Sequence, residues 1–241
     1  CMAIGFAVFL GHCVLIPVDG CSINPTRSFG PALVSYMVYG KTDAFDGMWL
    51  FFAGPLAGAT LAACSYQALV KISGMSKMAS AALAEYIAMT LFVVIGVGSA
   101  EGIAGEDGMA WVLQVALAFG LAITALAYAI GAYSGGHINS AVTIGMVLTG
   151  HCSWQQGLAN FAAQMLGSVT GSLMLLGIFP EAMDKTGGLG TNSISEGFSW
   201  GNAFTGELIM TFLLVFVVLQ TAVNPNSEGN RSLACMAIGF A

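Results

Sequence analysis

SGGHINSAVTIG (134–145) and DGCSINPTRSFG (19–30) decide how this chain folds. Each is a polar stretch between long apolar runs, and each places Ile-Asn just ahead of a short apolar segment. Asn is a strong helix N-cap, and Pro25 suits the first helical position after Asn24. Each stretch therefore reads as a loop that starts a helix, at Asn139 and at Asn24. The run after Asn24 holds about 12 to 14 residues, where a bilayer crossing takes about 20. It suits a half-helix that enters the membrane and stops. The run after Asn139 reads the same way, with Ser140 in the place of Pro25. Gly20, Gly135 and Gly136 permit tight turns ahead of the caps. Non-helical backbone at membrane depth is tolerated only where protein buries it or where it lines water. Two such loops, one from each face, predict a narrow aqueous path.

The composition agrees with a membrane setting. Of 241 residues, 57% are hydrophobic and only 7% are charged. Mean hydropathy is +0.83. A soluble domain of this size carries far more charge. The net charge of −6 speaks against a nucleic-acid partner. The six cysteines form no C-x-x-C pair, so neither a zinc site nor a disulfide framework is expected, and no cofactor is implied. No phosphate loop or nucleophile–base pairing points to an enzyme. No cleavable signal peptide or lipidation motif is visible.

Five segments have spanning length: 47–70, 80–100, 109–131, 155–177 and 203–223. The ends are unusual. CMAIGFA occurs at 1–7 and again at 235–241, and neither end spans comfortably alone. Overlaid, the copies give one continuous segment, LACMAIGFAVFLGHCVLI, long enough to cross with modest bilayer thinning. The chain thus reads as a circular rotation of a six-span protein, cut inside one span; a window on a tandem array or a cloning artefact would look the same. The linker 71–79 then joins spans that would otherwise carry the free ends. Lys71, Lys77 and Arg231 fall on one side by span counting, Lys41 and Lys185 on the other. The basic excess places Lys71 and Lys77 in the cytoplasm.

An internal repeat follows. AEYIAMTLFVV (84–94) and GELIMTFLLVFVV (206–218) each open a span with Glu, then Thr. Each is followed, one span later, by one of the two polar stretches. Three spans per half make the second half inverted, and inverted repeats set their shared site near the bilayer midplane. The expected order is 1–70 as the end of the second repeat, 80–180 as the first, 181–202 as an outer loop, and 203–241 as the start of the second.

These residues carry a family resemblance. SGGHINSAVTIG, INPTRSFGPA, the LAFGL at 117–121, the Gly-His at 11–12 and the two Glu-led spans resemble the aquaporins, the major intrinsic proteins. The resemblance covers the whole chain once the rotation is allowed. It implies six transmembrane helices plus two re-entrant half-helices, all α. The family's paired Asn-Pro-Ala boxes correspond to Asn139-Ser140-Ala141 and Asn24-Pro25-Thr26, each departing at one place. The resemblance also implies a constriction formed by Phe119, His12, Cys21 and Arg27. That set resembles the water-selective members; glycerol-conducting members typically have a smaller residue for His12 and Asp where Ser28 stands. Water as permeant, a lipid bilayer of the plasma or an internal membrane, and a homotetramer are implied with it.

Plainer readings stand beside these. Arg27 could snorkel to headgroups, although an intramembrane ionisable residue is a functional candidate by default. His12 could satisfy a hydrogen bond between helices, Phe119 could be simple packing, and Cys21 could be buried and inert. Glu85 and Glu207 could relay protons; the quieter reading has each carboxylate accept loop N–H bonds and hold broken backbone. His137 would brace its loop. The leading function is a passive water channel that excludes protons and ions. Its rivals are a pore for glycerol, ammonia or hydrogen peroxide, a proton-coupled transporter using Glu85 and Glu207, and a non-conducting structural protein.

Overall fold

A computed structural model describes residues 2–71, 75–105, 108, 110–192 and 194–241. Residues 72–74 of the expected linker and the side chain of Lys71 lie outside the described residues. All regular structure among the described residues is helical. The chain divides into two compact units, Cys1–Val18 with Met75–Ala241, and Asp19–Gly74.

The first unit holds α1 (Met2–Asp19, apart from its last residue), α4 (Lys77–Glu101), α5 (Ala110–Ser134), α6 (Ser140–Leu148), α7 (Trp154–Ile178), α8 (Trp200–Val218) and α9 (Ala234–Gly239). Ser76 and Ser153 start α4 and α7 by accepting backbone N–H bonds from Ala79 and Gln156. α4 and α7 approach closely because α7 presents glycines. A Cβ at Gly167 would stand 2.6 Å from the Tyr86 carbonyl, and one at Gly171 2.7 Å from the Thr90 carbonyl. Small residues spaced by four are the usual way for membrane helices to bring backbones together. The opposite face of α7 exposes Leu158, Leu166, Val169 and Leu173, as a lipid-facing helix would.

α5 is the second organising helix. Its Ala118, Leu121, Ala122 and Ala125 pack with Leu10 and Cys13 of α1. Its Gly120 meets Gly239 of α9 backbone to backbone. Thr124 Oγ1 donates to the Cys235 carbonyl at 3.2 Å, and the Tyr128 hydroxyl donates to the Ser232 carbonyl. The second CMAIGFA copy is therefore seated on α5.

The second unit holds α2 (Pro25–Tyr39), the turn Thr42–Phe45 and α3 (Leu50–Lys71). Gly40 ends α2 in the left-handed conformation, its N–H donating to the Tyr36 carbonyl. Phe45 then folds back edge-on to Phe29 and Tyr36, at 6.4 and 6.0 Å between ring centroids. Gly54 and Gly58 of α3, a Gly-x-x-x-Gly spacing, have open space where a side chain would stand, and no described residue packs close there.

Among the described residues, four helices are long and apolar enough to cross a membrane: Lys77–Glu101, Ala110–Ser134, Trp154–Ile178 and Trp200–Val223. α3 matches them in length with 22 residues but falls short in hydropathy, since Pro55, Ser65 and Gln67 dilute it. The apolar stretch of α1, Phe6–Asp19, is shorter.

Candidate functional site: two Asn-capped half-helices

α6 is nine residues long and α2 is fifteen, about 14 and 23 Å at the α-helical rise. Neither reaches across a hydrocarbon core of about 30 Å. Each begins at its Asn. Asn139 is extended (φ −161°), and its Oδ1 accepts from the N–H groups of Ala141 and Val142 at 2.8 and 3.4 Å. Asn24 is extended (φ −154°), and its Oδ1 accepts from Thr26 N and Arg27 N at 3.1 and 3.4 Å. Because the cap uses Oδ1, the amide nitrogen Nδ2 is the donor that each Asn retains.

The backbone before the caps repeats as well. Gly135, Gly136 and Ile138 have φ of 88°, 69° and 47°; Gly20, Cys21 and Ile23 have 80°, 57° and 47°. Left-handed backbone is costly for a β-branched side chain. Two isoleucines adopt it at matched positions, so the same loop is built twice.

What holds the first loop is a buried carboxylate. Glu85 of α4 is fully buried. Its Oε1 accepts from Ser134 Oγ (2.6 Å) and His137 N (2.8 Å), and its Oε2 from Ile138 N (2.7 Å) and Gln164 Nε2 (2.8 Å). Four donors fill the lone pairs of an ionised carboxylate, which is how a charge is kept inside a protein. Thr143 links the loop to its helix. Its hydroxyl donates to the Asn139 carbonyl and accepts from Gln164 Nε2. With that proton committed, His137 Nδ1 is the donor in the 3.1 Å contact to Thr143 Oγ1.

The second loop is held locally. Ser22 Oγ donates to the Asn24 carbonyl (2.9 Å) and accepts from Ser28 Oγ (2.6 Å), and Asp19 Oδ1 accepts from Cys21 N (2.8 Å). Pro31 inside α2 has no N–H, so the Arg27 carbonyl lacks its usual helical partner. Arg27 is exposed and, among the described residues, forms no ion pair.

Phe119 sits on α5 and packs edge-on against Phe92, 5.4 Å between centroids, over the bare backbone of Gly96. His12 of α1 is half-buried, its Nδ1 2.8 Å from the Val8 carbonyl. It lines an open cavity of about 610 Å³ with Phe9, Cys13, Pro17, Ile103 and Gln114. Phe119 is absent from the described lining. Cys21 is fully buried, and its backbone is left-handed at φ 57°. Phe119 and His12 belong to the first unit, Cys21 and Arg27 to the second. Glu207 is exposed on α8 and, among the described residues, accepts no hydrogen bond. Gln164, Thr143 and Ser134 escaped the sequence reading. Gln164 one helical turn from Asn160 inside an apolar span was the sequence signal that could have singled out Gln164.

Apolar helices of spanning length and two Asn-capped half-helices, one in each unit, belong to an all-α membrane channel fold. Comparison with known sequences gives the family. The family model described as Major intrinsic protein matches residues 1–66 and 73–241. Aquaporin-2 of Bos taurus is 38% identical over 160 residues, 66% of this chain and 57% of that protein. Aquaporin-5 of Homo sapiens is 38% identical over 141 residues, 58% and 52% respectively. The lens fiber major intrinsic protein of Oryctolagus cuniculus is 35% identical over 160 residues, 66% and 59%. The chain spans little more than half the length of these relatives. It belongs to the major intrinsic protein family.

Proposed function

We propose that the protein is a passive water channel driven by osmotic gradients. The observation that carries this reading is the duplicated loop, with Asn139 and Asn24 each capping a half-helix through Oδ1 and each retaining Nδ2 as donor. A half-helix N-terminus carries roughly half a positive charge, which repels cations and protons. A water that accepts from both Asn amides cannot also accept from a neighbouring water, so a proton wire is interrupted. Loop carbonyls along the path replace hydration. In this reading Phe119, His12 and Arg27 form the constriction, too narrow for glycerol, and the Cys21 side chain, being buried, does not line it.

The saturated coordination of Glu85 supports a structural carboxylate over a proton relay, because a relay needs a free lone pair facing the path. The rotated order belongs to the same proposal. Its support is the family match, which breaks at 67–72, beside the 71–79 linker that would join the natural ends. A homotetramer with the Lys71–Lys77 linker in the cytoplasm completes it.

Stopped-flow light scattering on proteoliposomes tests the function. Under a sucrose gradient, vesicles holding the protein should shrink much faster than empty ones. Under a glycerol gradient, they should not re-swell faster than empty ones. Rapid glycerol re-swelling would replace water selectivity with a wider solute range. Sucrose shrinkage no faster than in empty vesicles, from protein shown to be folded, would remove the water-channel reading for this chain.

A further inference from the structure

Residues 179–190, between α7 and α8, fold over the C-terminal end of α4. Lys185 N donates to the Glu101 carbonyl at 2.8 Å. Phe179 is buried, its ring 3.3 Å from where a Cβ at Gly102 would stand. A Cβ at Gly190 would stand 2.5 Å from Val97. Asp184 ties the segment to itself: its carboxylate accepts from Thr186 N, Thr186 Oγ1, Gly188 N and Leu189 N. Partial burial pushes the Asp184 carboxyl up, but these bonds outweigh it and hold it below the usual carboxylate range. Asp184 is therefore an anion at neutral pH. The stability it lends the turn is present above the ordinary carboxylate range and is lost as pH falls through the lowered value.

Beneath this cover lies Glu101, the last residue of α4. Its side chain is fully buried, and neither carboxylate oxygen has a hydrogen-bond partner among the described residues. Glu85, equally buried, has four donors. Glu101 also sits at a helix C-terminus, where the backbone dipole opposes negative charge. Asp184 is near enough to repel a charge on it. The other charged groups of the covering segment, Glu181 and Lys185, are exposed. α1, which meets Gly102 through Pro17, carries His12 and Cys13 a turn or more further in, and Asp19 at its end. Residues 106 and 107 lie outside the described residues.

We propose that Glu101 is a proton-binding site that latches residues 179–190 onto the end of α4. Protonated, the carboxyl is compatible with a dry seat. Ionised, it must reach water, and the segment above it has to lift. The latched state holds one proton more than the lifted state, so closure weakens as pH rises, by up to about tenfold per pH unit. The latch borders the His12 cavity, since Pro17 and Ile103 line that cavity. It is independent of what the protein conducts.

Hydrogen exchange on the full chain in lipid nanodiscs tests it. Protection of the Lys185 amide, corrected for intrinsic exchange, is followed from about pH 5 to about pH 8, above the titration range of a free carboxylate. In the wild type, protection should fall at least about tenfold across that range. In Glu101→Gln it should stay level. An infrared carbonyl band of a protonated carboxyl, present in the latched wild type and missing from Glu101→Gln, should accompany it. Wild-type protection that does not change with pH overturns the proposal, whether or not the variant folds. Recovery of protection by calcium at the upper pH overturns it too, because a metal cation would then be the ligand. Osmotic flux on the same samples separately tests the water-channel reading.

Discussion

Residues 135–139 and 20–24 follow the same backbone path into a half-helix, with positive φ at the first, second and fourth positions of each. They differ in what holds that path. The first is gripped from a distance, by a carboxylate on α4 that lies 52 residues from His137 in sequence. The second is held by its own neighbours, with Ser22, Ser28 and Asp19 all within six residues of their partners. At the second position the first loop has Gly136, where a Cβ would stand only 3.1 Å from the Ala127 Cα; the second loop has Cys21, a side chain in the left-handed region. One geometry can thus be fixed by tertiary structure or by local chemistry. Only the locally fixed loop tolerates a non-glycine residue at that turn.

The comparison breaks most sharply at the carboxylates. Glu85→Gln keeps the shape but removes the charge and half the acceptors. It should cost about 2–4 kcal/mol, since buried donors left unmatched cost about 1–3 kcal/mol each. Denaturant titration in detergent micelles would measure it, with osmotic permeability falling in parallel. Glu207→Gln, at an exposed site, should stay within about 0.5 kcal/mol. An equal loss in both variants would show that Glu207 braces the second loop as Glu85 braces the first, and the asymmetry would disappear.

The turn glycine comes next. Gly136→Ala should destabilise by about 1–3 kcal/mol, from left-handed strain together with crowding at Ala127. Cys21→Gly should stay within about 1 kcal/mol, because relief of that strain offsets the lost burial. Thermal unfolding of the two variants side by side reads the difference.

The caps should behave alike. Asn139→Ala and Asn24→Ala each remove an Oδ1 that holds the first helical N–H groups, at about 1 kcal/mol apiece. A much larger effect at one of them would show that its amide has a second structural partner. The smallest effect is a gain. Ser140→Pro would give α6 the proline that α2 already has, and Asn139 is already in the extended conformation a following proline requires. Stability should rise by about 0.4–1 kcal/mol through the unfolded chain, seen as a higher midpoint with unchanged flux.

These contrasts also mark how far the sequence could be read. Asn caps, Pro25 at the helix start and turn glycines act over three or four residues, so their spacing alone placed both half-helices. The role of Glu85 required a guess that two segments 50 residues apart meet, and the repeat supplied it. Nothing periodic connects Gln164 or Thr143 to that carboxylate, because their link exists only once α4, α6 and α7 are packed. The same limit governs Phe119. Its ring covers Gly96, and no pattern within α5 reveals that α4 offers a bare patch there. The burial of Cys21 was illegible for a different reason, since what packs around a loop side chain is settled only in the folded chain. The interior of α3 is the opposite case, for its Gly-x-x-x-Gly spacing is present without close packing among the described residues.

The two loops also differ in where their fixed charges stand. Glu85 is sealed inside protein, whereas Arg27 stands in the open on the first turn of its helix. Dissolved ions reach only one of them. The Debye length shrinks from about 10 Å at 0.1 M salt to about 3 Å at 1 M, so brine would mute the field around the guanidinium and leave the carboxylate's grip on its loop unchanged. Of Glu85 and Arg27, ionic strength is therefore a dial for Arg27 alone. Discrimination that fades in concentrated salt belongs to exposed charges, Arg27 and Asp19 at the second loop, and any that persists belongs to the architecture.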